Sequence, residues 1–381
     1  MPSHAASRDH PIVAVLGAGN GGLATAADLT RRGCRVHLYD LPEFAAPLEP
    51  VREAGIRVHG ALPEAVYRPA LITTEIAEAL DGVSVALLIA PAFAHPRLAE
   101  VVLPPLRDDQ VLLLYPGAVG GAMEVYQALR TSRPGCRAII GEVANLGYSA
   151  KRDGPASVRI NGIKRGVPAA AIPAVRTGEM FDAWGAIFPE FVPARDVLET
   201  GLNNINIIVH PVLMLANLSR VENEEEWFTY GDGFTPAVAR LMEGVDRERL
   251  AVLRALGLPE VSIAEWMVRY YAEQGVKGTE LYQVLSTAPV FSRSTGPRAI
   301  QDRYLSEDVP YGLVPVASIA AGLGVPAPCT EGLVALASAA TDIDYAKTGR
   351  NAERLGLVGL SPEQIIARVT QGDYQRPARR R

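Results

Sequence analysis

The chain has 381 residues, 48% of them hydrophobic and 21% charged, with a formal net charge of -5. That is the make-up of a soluble globular protein of about two domains, and it excludes the basic footprint needed to hold nucleic acid or an anionic membrane. The three cysteines, Cys34, Cys136 and Cys329, are odd in number and widely spaced, so no disulfide framework or metal site is expected and a reducing cytoplasm suits them.

Residues 1–10 lack the apolar core of a signal peptide, and no uninterrupted run of 18 apolar residues occurs; neither export nor membrane spanning is expected. The first apolar run, residues 12–16, leads into Gly17-Ala18-Gly19-Asn20-Gly21-Gly22 and then into a helical pattern that stops at Gly33. Strand, glycine turn and helix in that order suit a dinucleotide. Gly17 permits the tight turn, Gly19 lets the backbone approach a pyrophosphate, and Gly22 lets the helix pack on the strand. The free N–H groups at the helix start then face the phosphates. Residues 35–39 read as the second strand and end at Asp40, a carboxylate that can bind the ribose 2′-hydroxyl and would repel a 2′-phosphate. No arginine stands among Leu41, Pro42, Glu43 and Phe44, which favours NAD over NADP.

Further apolar runs at 83–90, 111–115 and 138–140 end at Pro91, at a second glycine cluster (116–121) and at Gly141-Glu142. Short apolar strands separated by helical stretches describe a parallel α/β sheet, whose strand carboxyl ends share one crevice. Pro91, His95 and the second cluster are therefore candidate cofactor or substrate neighbours; a surface histidine and a plain helix-start turn are the alternatives. Asn161-Gly162, between alternating segments, predicts a hairpin turn. Beyond Leu198 helical periodicity dominates, for instance over 237–256 and 262–274, so the expected division is a dinucleotide-binding domain at 1–194 and a helical domain at 195–381. Ser361-Pro362-Glu363-Gln364 opens the last helix with a capping box.

His210 lies in an otherwise apolar stretch, with Asn206 one helical turn before it and Pro211 after it. An imidazole there needs a partner, and the proline predicts a kink or break at the histidine. A satisfied core histidine and a proton-transfer group both fit. Residues 300–315 set Asp302, Arg303, Glu307 and Asp308 among aromatic and apolar neighbours. They fit either a solvated loop capping a helix or an arginine fork for a substrate carboxylate with an acid for the histidine. The run Glu222, Glu224, Glu225 and Glu226 reads as a solvated helix end, with a basic amino donor as the alternative.

Taken in order, Gly17 through Gly22, residues 115–122, Asn206 through Pro211, Gly233-Phe234-Thr235-Pro236, Arg303 through Gly312 and residues 349–357 resemble the octopine and opine dehydrogenases over nearly the whole chain. The resemblance implies a Rossmann-type doubly wound sheet followed by an all-helical domain like the C-terminal domain of 6-phosphogluconate dehydrogenase. It also implies NAD(P)-dependent condensation of a 2-oxo acid, commonly pyruvate, with the amino group of an amino acid. It further implies His210 as general acid/base, Asp308 as its partner, and Asn206 and Arg303 as substrate-positioning residues. Tyr230 and Thr235 become candidates for the amine pocket, and Gly17, Ala18, Gly19, Asn20, Gly21, Gly22, Asp40, Pro91 and His95 for cofactor binding. A homodimer is the default expectation for such a soluble enzyme. Two alternatives stand beside it. One is a glycerol-phosphate or 2-oxo acid/hydroxyacid dehydrogenase, which would want a lysine at the start of the helical domain, whereas none occurs between Lys164 and Lys277. The other is an NAD-binding sensor without turnover.

Overall fold

Strands that are apolar on both faces have to be covered on both faces, and the computed structural model, which describes residues 11–184 and 187–372, arranges them so. The leader and the basic tail fall outside the described residues. The strands are β1 (Ile12–Leu16), β2 (Arg35–Tyr39), β3 (Ile56–Gly60), β4 (Ala65–Tyr67), β5 (Leu71–Thr73), β6 (Val85–Leu88), β7 (Val111–Leu114), β8 (Ile139–Val143), β9 (Tyr148–Gly154), β10 (Ser157–Ile163), β11 (Val167–Ile172) and β12 (Phe191–Pro193). The main sheet runs β12-β11-β8-β7-β6-β1-β2-β5. From β5 to β8 all neighbours are parallel, whereas β11 joins β8 antiparallel. Strand order reverses beside β1, which puts a crevice at the carboxyl ends of β1 and β6, directly over the Gly17–Gly22 turn.

A second sheet, β4-β3-β10-β9, packs against the helix Asn20–Arg31. Two details differ from the sequence expectation here. The hairpin is real, but its turn is at Gly154–Ser157; Asn161-Gly162 instead lies inside β10, at a register irregularity. Gly162 is there because Gln274 and Tyr271 of the helical half approach it closely, so the glycine serves a close approach rather than a turn. Likewise β8 does not stop at Gly141-Glu142 but continues to Val143. A side chain at Gly141 would meet Met180, and the buried Glu142 carboxylate accepts from Thr200 Oγ1 (2.6 Å) and the Ala122 N–H (2.9 Å).

After Pro193 the described residues are helical apart from one isolated bridge, Phe228 with Thr295. The helix Asn206–Ala216 continues through Pro211, so the chain does not break there. A proline inside a helix costs about 3 kcal/mol, through the lost hydrogen bond and the ring's clash with the carbonyl four residues earlier. Every residue from Ile207 to Met214 is buried, and burial at roughly 1.5–3 kcal/mol per large apolar side chain outweighs that cost. The long helix Pro236–Ala255 carries Arg249, which is fully buried, bonds Asp246 and binds both the Leu202 carbonyl (3.0 Å) and Asn203 Oδ1 (2.9 Å). Trp266 Nε1 donates to the same Asn203 oxygen (2.9 Å). This network fixes the turn from which the His210 helix starts. The last helix, Pro362–Gln371, has the expected Ser361/Gln364 capping box, but it returns to pack on the first half near Pro173 and Tyr126.

The C-terminal segment is tied to the first half by Arg350, fully buried, whose Nε bonds Glu124 at 2.6 Å and whose Nη1 donates to the Val119 carbonyl at 2.9 Å. Arg350→Met should lower unfolding free energy by about 3 kcal/mol, since it strips a partner from a largely buried carboxylate. Urea denaturation followed by tryptophan fluorescence measures this, and an unchanged midpoint would show the tie to be dispensable.

Candidate active site

The glycine turn meets the steric demands of a dinucleotide. Gly17 has φ of 119°, and a Cβ there would overlap the Ile89 carbonyl; a Cβ on Gly22 would overlap the carbonyl of Gly17. Gly19, by contrast, faces open space, so a phosphate can reach its backbone. Asp40 sits at the end of β2 and accepts from the Ala18 N–H (2.8 Å) and the Leu41 N–H (2.9 Å). Its carboxylate thus both clasps the turn and stands where a ribose would lie. An open backbone at Gly19 and a carboxylate at the end of β2 are the features that a dinucleotide site needs.

The other crevice candidates divide. Pro91 is exposed at the rim, and the next N–H, of Ala92, donates to Glu307 Oε1 at 3.0 Å. His95 is fully buried below the crevice floor: its Nε2 contacts the Ala90 carbonyl at 3.3 Å, its Nδ1 has no partner among the described residues, and its ring lies against Gly121. It is neither a surface histidine nor a side chain that reaches the crevice. Burial, with Arg350 nearby, pushes its pKa down to about 3, so it is a neutral packing group. The second glycine cluster is buried too, covered by Gly201, Leu355 and Arg350 of the later chain. It is the seat of the helical half rather than an open ligand loop.

Across the crevice, His210 Nδ1 lies 2.8 Å from Asp308 Oδ2, 98 residues away, and both side chains are about nine-tenths buried. Asp308 is held between the short helix Arg303–Ser306 and a π-helical turn, Val309–Leu313, a wide turn often found at functional sites. Tyr304 stacks flat on the imidazole, with ring centroids 3.8 Å apart and planes 6° apart. Burial pushes its hydroxyl up to about 12, so it stays protonated. For the His210–Asp308 pair burial disfavours charge separation, lowering the imidazolium's pKa and raising the carboxyl's. The pair therefore handles its proton as one unit. The ring's Nε2 has no hydrogen-bond partner among the described residues and is not sealed from solvent, which makes it the nitrogen open to a substrate.

Arg303 is enclosed by protein yet 59% of its side chain is reachable by solvent, and Glu307 Oε2 is 3.7 Å away. That combination describes a guanidinium at the bottom of an open cleft. Asn206 Nδ2 reaches Asn145 Oδ1 at 3.5 Å, and the same oxygen accepts from Lys164 Nζ at 2.8 Å. Tyr230 is part-buried, tilted on Phe291 at 4.7 Å and electrostatically coupled to Tyr304, so it extends the aromatic wall. Thr235 instead spends its hydroxyl as the N-cap of Pro236–Ala255, accepting from the Val238 N–H at 3.3 Å. The acidic run at 222–226 is solvated, with Arg220 paired to Glu225 and Arg298 to Glu226. Tyr304, Asn145 and Lys164 were not singled out from sequence. Tyr304 could have been found from its place beside Arg303, but nothing local marks the other two.

A family model, "NAD/NADP octopine/nopaline dehydrogenase, alpha-helical domain", matches residues 193–341. An opine dehydrogenase from Arthrobacter sp. (strain 1C) is 33% identical over 357 residues, covering 93% of this chain and 98% of that protein. The chain belongs to the opine dehydrogenase family. Octopine dehydrogenase in complex with NADH and agmatine shares the fold at a TM-score of 0.75 and 21% identity, over 96% of this chain and 99% of that one. A yersinopine dehydrogenase with NADP+ bound does so at 0.68 and 18%, over 95% and 98%. Membership makes the protein an NAD(P)-dependent oxidoreductase, and the Rossmann-like sheet with an all-helical second half is the family's architecture. Among the described residues no helix is long and apolar enough to cross a membrane, and no cluster of potential metal ligands occurs.

Tyr304→Ala would hydrate one face of the imidazole. Because burial is the main cause of its lowered pKa, the His210 pKa should climb toward the ordinary value near 6.5. Titration of ¹³C-labelled histidines by NMR tests this; a His210 signal equally resistant to protonation in both proteins would show that the stacked ring does not govern it.

Proposed function

We propose that the protein is an opine dehydrogenase that joins a 2-oxo acid, with pyruvate as the simplest case, to the amino group of an amino acid and reduces the imine with NADH. The observation carrying this is the buried His210–Asp308 pair, whose free nitrogen is open to a cleft that also holds the Arg303 guanidinium. In this reading the dinucleotide-binding half spans 1–194 and the substrate half 195–381, and the last helix packs back on the first half.

In this reading the oxo acid's carboxylate lies on Arg303, which can take both oxygens at once. His210 Nε2 takes a proton from the donor's ammonium and frees the amine to attack the carbonyl; a second proton passes from nitrogen to the alkoxide to give the carbinolamine, and the imidazolium then protonates its hydroxyl, which leaves as water as the protonated imine forms. Asp308 holds Nδ1–H, sets the tautomer and stabilises the imidazolium that forms between the two steps. Asn206 and Tyr230 position the substrates, and Tyr304 keeps the ring in plane. The nicotinamide, when bound, supplies the hydride that the imine carbon accepts. The residues assigned to the cofactor are Gly17 to Gly22, Asp40 and Pro91. Asp40 and Glu43 both face the ribose end. Arg97, which the fold brings beside Glu43 (3.8 Å), is shared with Glu100 (3.5 Å), which supports NAD over NADP.

NADH oxidation should require both an oxo acid and an amine. Turnover with the oxo acid alone would indicate a hydroxyacid dehydrogenase, and NADH binding without turnover on any pair would indicate a sensor. His210→Ala should lower kcat by roughly 10²–10⁴-fold with NADH affinity, followed by fluorescence titration, within about twofold; near-normal turnover would remove His210 from the chemistry. Arg303→Lys should raise the oxo-acid KM about tenfold or more through loss of the two-point contact, while unchanged oxo-acid kinetics would mean that its carboxylate lies elsewhere.

A further inference from the structure

Lys164 lies on the link between β10 and β11, in a backbone held from both halves. Its own N–H bonds the Gly147 carbonyl (2.8 Å), and Gln274 of the helical half clamps Ile163 through both its amide groups. Its side chain crosses to the cleft and is buried. Nζ donates to Asn145 Oδ1 and to the Leu146 carbonyl, each at 2.8 Å. Both acceptors are neutral; beyond them Nζ lies 5.9 Å from the centroid of the Tyr270 ring, and no third hydrogen-bond acceptor meets the ammonium among the described residues.

The charge also lacks a carboxylate partner. Three cations are buried among the described residues: Arg249, Arg350 and Lys164. Arg249 holds Asp246 at 2.6 Å and Arg350 holds Glu124 at 2.6 Å. Lys164 has no carboxylate within ion-pair distance among those residues. A buried charge without a counter-ion is costly, and burial together with Arg303's like charge pushes the Lys164 pKa down to about 7. Its surroundings are those of the cleft: Arg303 acts on it electrostatically, it acts on His210, and its Asn145 partner is also within reach of Asn206. Leu146, beside it, packs on Gly21 of the glycine turn. Arg303 comes from the helical half and Lys164 from the sheet half, and the imidazole feels both.

An N-(1-carboxyalkyl) amino acid carries two carboxylates, one on each side of its secondary amine. A site with two cations from different halves, both acting on one proton-transfer nitrogen, suits that charge pattern. We propose that Lys164 receives the α-carboxylate of the amino donor, completing with Arg303 a two-carboxylate clamp. The proposal rests on the opine dehydrogenase reading and on Arg303 holding the oxo acid.

A binding experiment separates the two levels. Iminodiacetate has a carboxylate on each side of a secondary amine, and N-methylglycine has only one. Calorimetry on the NADH-saturated wild type should show iminodiacetate binding about tenfold tighter, the increment of one charge-assisted hydrogen bond. In K164M the preference should fall below about twofold, and likewise in K164Q, whose amide can still donate to Asn145 and Leu146 and so guards against a collapsed loop. With an amino acid that turns over, both variants should raise its KM about tenfold while holding the oxo-acid KM, and the KM of the corresponding decarboxylated amine, within about twofold. An undiminished iminodiacetate preference in stably folded variants would overturn the proposal. So would a KM increase falling on the oxo acid, or an equal loss for the amine lacking a carboxylate. Absence of turnover by the wild type on every oxo acid and amine pair would instead count against the opine dehydrogenase reading, while the iminodiacetate comparison would still decide the role of Lys164.

Discussion

Missing side chains hold the two halves together. A Cβ on Gly201 would stand 2.9 Å from the Ala118 carbonyl oxygen and 3.0 Å from Val119 Cα, and one on Gly117 would overlap the Glu142 carboxylate. The helical half can therefore come down to backbone contact with the turn after β7. Val119 then donates to the Tyr311 carbonyl (3.1 Å) and accepts from Arg350 (2.9 Å), while the Arg350 N–H bonds the Pro310 carbonyl (2.8 Å). Pro310 and Tyr311 belong to the π-helical turn that begins just after Asp308. The contact that seats the halves thus also sets the acid that orients His210, and the cleft geometry follows from it.

Charge in the cleft follows from the same seating. Glu307 spans the gap, accepting from the Ala92 N–H of the sheet half while lying 3.7 Å from Arg303 of the helical half. Arg303 keeps most of its side chain open to solvent, Lys164 is buried among neutral acceptors, and the imidazole between their fields is pressed toward its neutral form by burial first and by both cations in addition. An anion drawn into such a cleft relieves the cations and at the same time makes the imidazolium easier to form. Substrate binding and proton acceptance then reinforce each other through electrostatics alone.

Much of this was legible in the sequence, for identifiable reasons. The glycine turn and Asp40 are local patterns whose steric logic lies within about 25 residues. Apolar runs gave the parallel strands, and the capping box of the last helix was read at the residues where it forms. His210, Asn206, Arg303 and Asp308 could be named as candidates because an imidazole in an apolar run is anomalous and because the ordered motifs resemble a known family. What escaped was tertiary. Asn161-Gly162 carries a turn signal, but a neighbouring helix needs the space beside Gly162. His95 looked like a crevice residue because it follows a strand end, yet the chain turns it inward. Asn145 and Lys164 meet only because β8 and the β10–β11 link come together, and no periodicity encodes that meeting.

Two departures from regular helix geometry face each other behind the His210–Asp308 pair. Pro211 removes the hydrogen bond that the Ile207 carbonyl would accept within its helix, and Ile207 is the residue against which Gly312, in the π-helical turn, packs without room for a Cβ. A regular α-turn after Asp308 would carry one residue fewer per hydrogen-bonded loop and rotate the carboxylate away from the axis it now shares with His210. A larger residue at 312 would push the turn off Ile207 and break the 2.8 Å contact. Local rules are broken at the one place where a carboxylate and an imidazole from distant segments must meet in register, and the buried flanks of both segments stabilise the irregularity. The weak point of each helix, taken alone, is in this sense what lets the acid reach the base.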